Sequence, residues 1–113
     1  MAKPKVASDW LAGCAGCHMS FLDIDERIVA LTELVDLRAT PITDLKEPDE
    51  SGVDVGILEG GISNTYNEEV ARKMRARCKI LVALGDCAVF GGVPAMRNFE
   101  GAEAALKRAY IET

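Results

Sequence analysis

Three cysteines in this chain occur at spacings that suit metal binding. Cys14 and Cys17 are separated by two residues, and Cys87 comes just after an apolar run. A Cys-x-x-Cys pair can ligate a metal or the irons of a cluster, and it can also form a redox disulfide. A third thiolate favours a metal site, because a disulfide needs only two sulfur atoms while a four-iron cluster normally takes four. From these residues alone, an iron–sulfur cluster is favoured over a zinc site, a redox pair and inert cysteines.

Two other polar residues, Glu59 and His18, are candidates for the same site. Glu59 ends a predicted strand, so its carboxylate is either a solvent-exposed helix-cap acid or a proton relay beside a redox centre. His18 directly follows Cys17, and we expect it to hydrogen-bond at the rim of the site, because adjacent residues are awkward joint ligands. Cys78 precedes a strand, which predicts a structural cysteine at the opposite end of the sheet.

Alternating strand and helix patterns must position these residues. Strands are predicted over 5–11, 37–39, 53–58 and 79–85. The last of these is an apolar run between a charge and a glycine, which predicts a buried strand. A 3-4-3-4 spacing predicts one helical face made of Phe21, Ile24, Ile28, Leu31 and Val35. Thr65 and Glu68 fit a capping box that begins a second helix, and a third is predicted within 101–110.

This alternation predicts an α/β domain with a parallel sheet and helices on both faces. Such sheets bind ligands outside the carboxyl ends of their strands, so the loops after the first, third and fourth strands should open onto one edge. Cys14, Cys17, Glu59 and Cys87 all lie in or beside those loops. We therefore expect them to form one site.

Composition restricts the classes of protein that fit. The 113 residues predict a single domain over 1–113. Thirteen basic against eighteen acidic residues give a net charge of −5, which argues against a nucleic-acid or anionic-membrane surface. The longest apolar stretch, 80–84, is far shorter than the roughly 18 residues of a membrane span, and no apolar signal-peptide region follows 1–5. We expect a cytoplasmic protein with no nucleic-acid or membrane partner.

Three segments resemble the small subunit of soluble nickel–iron hydrogenases, most closely that of the NAD-reducing, bidirectional group. They are WLAGCAGCHMSFLD at 10–23, EGGI at 59–62 and GDCAVFGGVPAMRN at 85–98. The resemblance runs through nearly the whole chain. A more distant likeness extends to the cluster-bearing subunit of respiratory complex I.

The resemblance implies a flavodoxin-like fold and a role in electron transfer. It implies that Cys14, Cys17 and Cys87 are three ligands of a 4Fe-4S cluster proximal to a nickel–iron centre, with Glu59 beside that cluster. The nickel–iron centre belongs to a separate large subunit, and a flavin- and iron–sulfur-containing diaphorase links the cluster to NAD. The chain would thus be a hydrogenase subunit without the hydrogen-splitting centre. Some members of the family hold a flavin (FMN) in this subunit, and no residue here is assigned to one.

The sequence departs from the family at the fourth cluster ligand. In the family that ligand lies in a Gly-Cys-Pro-Pro motif beyond a further strand, and the motif is absent from these 113 residues. We therefore expect an incomplete small subunit. An alternative is a small thiol–disulfide oxidoreductase that uses Cys14 and Cys17 near a helix N-terminus, where the helix dipole would lower a thiol pKa. A third hypothesis is an assembly protein that binds a hydrogenase-like partner without carrying electrons.

Overall fold

The structure is a computed structural model that describes residues 2–44 and 52–112. In chain order its elements are β1 (Lys5–Trp10), α1 (Gly16–Leu22), α2 (Arg27–Leu34), β2 (Asp36–Ala39), β3 (Val53–Glu59), α3 (Thr65–Arg77), β4 (Cys78–Leu84), α4 (Asp86–Phe90), α5 (Gly92–Ala95), a 3-10 turn (Met96–Phe99) and α6 (Ala102–Tyr110). Within these ranges, no helix is long and apolar enough to cross a membrane. The solvated connection predicted over 43–52 lies mostly outside the described residues.

The strands form one parallel sheet in the order β2-β1-β3-β4. This is the order of the first strands in flavodoxin-like folds. Helices α1 and α2 cover one face of the sheet, where Ile28 and Val35 line an apolar cavity of about 270 Å³ together with Val55 and Ile57. Helix α3 packs on the other face. The predicted α/β architecture, with helices on both faces, is confirmed.

The core on the α3 side depends on a glycine in β3. Met74 of α3 and Cys78 of β4 are both buried there, together with Leu58. A Cβ atom at Gly56 would lie 2.8 Å from the Sδ of Met74 and 2.9 Å from the Sγ of Cys78. Because these distances are shorter than normal contacts, α3 can pack this closely on β3 only over a residue without a side chain.

The helix predicted to follow the first cysteines is broken in two. Helix α1 ends at Leu22, α2 begins at Arg27, and Asp25 in the turn between them has a φ of 55°. Aspartate adopts this left-handed conformation more readily than most residues. Four of the five residues of the predicted apolar face, Phe21, Ile28, Leu31 and Val35, still line the cavity against the sheet. The fifth, Ile24, lies in the turn between the two helices and does not line it.

The capping box predicted at Thr65 is wrong by one residue. Asn64 is the N-cap of α3, and its side chain accepts a hydrogen bond from the backbone N–H of Asn67 at 2.8 Å. Asn64 has the extended backbone that an N-cap requires, with φ −153° and ψ 176°, whereas Thr65 is already helical. Glu68 instead pairs with Arg72, one turn further along the helix.

The strand predicted to be buried, β4, lies at the edge of the sheet. In the described part of the chain, β3 is the only strand that pairs with it. Ile80 is 60% exposed and Val82 39% exposed, on the face that α1 and α2 share with Val55 and Ile57. The prediction of burial is therefore wrong for this side of β4, because α1 and α2 do not extend over it.

An ion pair joins β3 and β4 at the amino-terminal edge of the sheet. The Nζ of Lys79 lies 2.9 Å from one oxygen of Asp54, and the backbone N–H of Lys5 donates to the other at 2.8 Å. The hydrogen bond from Lys79 holds the pKa of Asp54 below its usual value, and the Lys5 N–H adds to that effect. The same bond raises the pKa of Lys79.

Candidate metal centre

The parallel topology brings three cysteines to one edge of the sheet. Cys14 lies in the loop after β1, Cys17 is the second residue of α1, and Cys87 is the second residue of α4, directly after β4. Each is a free thiol, with Cys14 exposed and the other two half-buried. Cys78, at the start of β4, is buried at the opposite edge as predicted, so it does not join them.

Electrostatics links the three thiols. Burial raises the pKa of Cys17, and the neighbouring Glu59 carboxylate, Cys14 and Cys87 raise it further. An ionised Cys17 would therefore face the Glu59 carboxylate and two further cysteine sulfurs, and a bound cation would relieve the resulting repulsion. The oxidoreductase hypothesis requires a lowered thiol pKa in the Cys14–Cys17 pair. The shift at Cys17 is in the opposite direction.

Two glycines lie beside the cysteine side chains, where a larger residue would leave no room for the thiols. A Cβ atom at Gly85, between β4 and α4, would overlap the Sγ of Cys17, and one at Gly16 would lie 3.2 Å from the Sγ of Cys14. Gly85 also has a φ of 87°, a conformation that residues with side chains rarely adopt. The end of β4 is thus shaped to admit the thiol of Cys17.

The loops that carry the site are joined to each other. Ala12, after β1, and Gly61, after β3, form an antiparallel bridge in which each N–H donates to the other's carbonyl, at 3.0 and 2.8 Å. The N–H of Leu11 donates to the carbonyl of Glu59 at 2.7 Å. These bonds fix the base of the Cys14 loop to the end of β3, where Glu59 lies.

Glu59 is a buried helix cap, a combination that sequence reasoning did not foresee. Its side chain is 5% exposed, and its Oε1 accepts the backbone N–H groups of Cys17 at 2.8 Å and His18 at 3.2 Å, in the first turn of α1. It therefore caps a helix, as one prediction had it, but away from solvent. Its role as a proton relay stays a prediction.

His18 hydrogen-bonds beside the site as expected, but its predicted position at the rim is wrong. The ring is fully buried, with Nδ1 2.7 Å from the Oε2 of Glu59 and Nε2 3.0 Å from the Oγ of Ser8. Ser8 in turn donates to the hydroxyl of Thr40 at 2.8 Å. Sequence reasoning missed Ser8 and Thr40, and the one sign was a serine within the first predicted strand, since Thr40 lies just outside β2.

The donor atoms of the three cysteines at this edge are sulfur atoms. Across 2–44 and 52–112, no three histidine, cysteine, aspartate or glutamate side chains are close enough to hold one metal ion. A zinc site requires such convergence, whereas each thiolate of an iron–sulfur cluster binds its own iron atom. Thiolates are the ligands that iron–sulfur clusters use, so the three cysteines at this edge fit such a cluster by ligand type at three of its four irons.

Comparisons with known proteins identify the family of the chain. The family model described as "NADH ubiquinone oxidoreductase, 20 Kd subunit" matches residues 14–111. The chain is 45% identical to the NAD-reducing hydrogenase HoxS subunit delta of Cupriavidus necator, over 98% of its own length and 53% of that protein. It is 38% identical to one subunit of the F420-non-reducing hydrogenase of Methanothermobacter thermautotrophicus, over 98% of its own length and 36% of that protein.

A solved structure shares the fold. The crystal structure of an NAD+-reducing NiFe hydrogenase in the H2-reduced state contains a chain that superposes with a TM-score of 0.88 at 44% identity. The match covers 99% of this chain and 62% of that one. The chain thus spans about half the length of the first relative and about a third of the second. The match to residues 14–111 shows that the chain belongs to the family of the NADH ubiquinone oxidoreductase 20 Kd subunit, in which it is similar to the small subunits of nickel–iron hydrogenases.

Proposed function

We propose that the chain is the electron-transfer small subunit of a cytoplasmic nickel–iron hydrogenase. In this proposal Cys14, Cys17 and Cys87 ligate a 4Fe-4S cluster, and residues 1–113 form its binding domain. The observation that carries the proposal is the placement of three free thiols at one edge of a flavodoxin-like sheet. Its relatives, which are hydrogenase subunits, support the same assignment.

The protein's part in this function is to hold the ligands. A bound cluster supplies a one-electron carrier. Glu59 fixes the first turn of α1 through the Cys17 N–H, Gly85 leaves room for the Cys17 thiol, and α4 presents Cys87 directly after β4. Cys78 does not supply a fourth ligand, because it is buried at the opposite edge.

The proposed partners follow from the same assignment. A large subunit would carry the nickel–iron centre that splits hydrogen, and a flavin- and iron–sulfur-containing diaphorase would exchange electrons with NAD. The relative from Cupriavidus necator is named as an NAD-reducing hydrogenase, which supports this choice of acceptor. FMN, which some members of the family hold, is a further candidate cofactor without an assigned residue here.

Iron and acid-labile sulfide per chain test the proposal most directly. We expect about four irons in anaerobically purified protein, with a reduced-cluster EPR signal after dithionite treatment. Each of the substitutions Cys14→Ser, Cys17→Ser and Cys87→Ser should reduce the iron content. The matched control, Cys78→Ala, should retain it. A colourless wild-type chain that binds no iron and no nickel-containing partner would reject the proposal. Insulin reduction that survives Cys87→Ser would favour the oxidoreductase instead.

A further inference from the structure

His18 is the largest fully buried side chain among the described residues. Its ring packs edge-on against Trp10, with centroids 5.7 Å apart, and at a tilt against Phe21 at 6.4 Å. Burying an imidazole is costly unless its nitrogens find partners, and here both do, in Glu59 and Ser8. The ring is therefore held in one orientation by packing and by hydrogen bonds at both ends.

The hydrogen bonds of His18 belong to a longer chain. Glu59 ends β3, His18 lies in α1, Ser8 lies in β1, and Thr40 directly follows β2. All are buried, and within 2–44 and 52–112 no buried side-chain nitrogen or oxygen lacks a partner. Satisfied buried networks of this kind rigidify the groups they connect. This one anchors α1 to three parallel strands.

The two oxygens of Glu59 have separate partners. Oε2 faces the Nδ1 of His18 at 2.7 Å, and Oε1 accepts the N–H of Cys17 at 2.8 Å. A carboxylate is planar, so holding one oxygen sets the direction of the other. The peptide plane that carries the Cys17 N–H in turn sets the direction in which the Cys17 side chain leaves the backbone.

We propose that His18 is a positioning residue for Cys17 and acts through Glu59. By holding Oε2, it turns Oε1 toward the Cys17 amide, and this fixes the thiol in the space beside Gly85. The aim of the thiol at a cluster rests on the proposed function. The geometric part of the proposal is testable on the iron-free chain.

The test compares two amides in place of the imidazole. In His18→Asn, the side-chain nitrogen lies near the position of Nδ1 and can still donate to Glu59. In His18→Gln, it lies near the position of Nε2 and reaches Ser8 instead. Amide hydrogen exchange at Cys17, measured by NMR on the iron-free full chain, should accelerate about tenfold in His18→Gln and much less in His18→Asn.

A second readout separates positioning from general stability. In the chain loaded anaerobically with iron and sulfide, an EPR-monitored redox titration should give a shifted reduction potential for His18→Gln and a near wild-type value for His18→Asn. Equal exchange rates and equal potentials in the two folded variants would overturn the proposal. If the wild-type chain takes up no iron, the proposed function fails, and the exchange rates still decide whether His18 positions Cys17.

A gentler variant covers the case in which neither His18 variant folds. Ser8→Ala frees Nε2 but leaves both contacts of Glu59 in place. Exchange at Cys17 should accelerate in this variant by clearly less than about tenfold. A tenfold or larger acceleration in folded Ser8→Ala, with both Glu59 contacts kept, would contradict the proposal, because the orientation of Cys17 would then depend on Ser8 and not on Glu59.

Discussion

Replacing Gly85 with alanine should damage the cysteine site much more than the same change at Gly101. The two glycines have nearly the same backbone, with φ 87° and ψ 170° at Gly85 and φ 89° and ψ 155° at Gly101, and each caps a helix. A methyl group at Gly85 would overlap the Sγ of Cys17, whereas one at Gly101 would meet nothing within 4 Å. The comparison therefore isolates the contact with the thiol.

The expected magnitudes follow from these two effects. Backbone strain should cost about 1–3 kcal/mol of unfolding free energy at either position. The overlap with Cys17 should add about 1–3 kcal/mol for Gly85→Ala alone. Urea denaturation followed by circular dichroism measures the difference, and iron content should fall for Gly85→Ala while Gly101→Ala keeps its iron.

A double variant identifies the cause. In Gly85→Ala/Cys17→Ala the sulfur atom is gone, so the destabilisation caused by Gly85→Ala should shrink to that of Gly101→Ala. Equal losses of stability in the two single variants, or full iron binding in Gly85→Ala, would refute the idea that this glycine makes room for the Cys17 thiol.

Three further predictions concern the scaffold. Gly56→Ala should lower the unfolding free energy by about 1–3 kcal/mol, because the added methyl group meets two sulfur atoms of the core; an unchanged melting temperature would contradict the close packing. Asn64→Ala should cost about 1 kcal/mol in urea denaturation and Thr65→Ala clearly less, and the reverse order would move the N-cap. Because the pKa of Asp54 is lowered in the folded chain, the ionised carboxylate stabilises the fold at pH values above its unfolded pKa of about 3.9, and this contribution is lost as the pH falls through the folded pKa. Asp54→Asn should therefore make the unfolding free energy depend less on pH in the acid range. Lys79, whose pKa is raised, loses its contribution only at alkaline pH.

Sequence reasoning located the cysteine site because a general rule of parallel sheets connects distant residues. Cys17 and Cys87 are 70 positions apart, yet each follows the carboxyl end of a strand, and those ends share one edge. To apply this rule, one needs only the positions of the strands along the chain, and the apolar patterns of β1 and β4 predict these positions. It also separated Cys78 from the others, since that residue precedes its strand.

The details that failed depend on geometry that residue types do not encode. Asn64 and Thr65 are both good capping residues, and only the backbone decides between them. The partners of His18 come from other strands, so nothing in the local sequence around it indicates that the ring is buried. The apolar run of β4 predicts a strand, but it does not indicate how many strands and helices pack against that strand.

Because β4 lies at the edge of the sheet and is followed directly by Cys87, a protein that binds at this edge would also affect the cysteine site. A partner that covers Ile80 and Val82, or that pairs with the edge of β4 that no described strand occupies, would bind only the folded chain. Its binding free energy would therefore add to the stability of the fold. Gly85 and Cys87 directly follow this strand, so fraying of β4 would move a proposed ligand and the gap for its neighbour together. If the chain holds the proposed cluster, retention of iron should rise with the concentration of such a partner, and subunit assembly and cofactor retention would form a single coupled equilibrium.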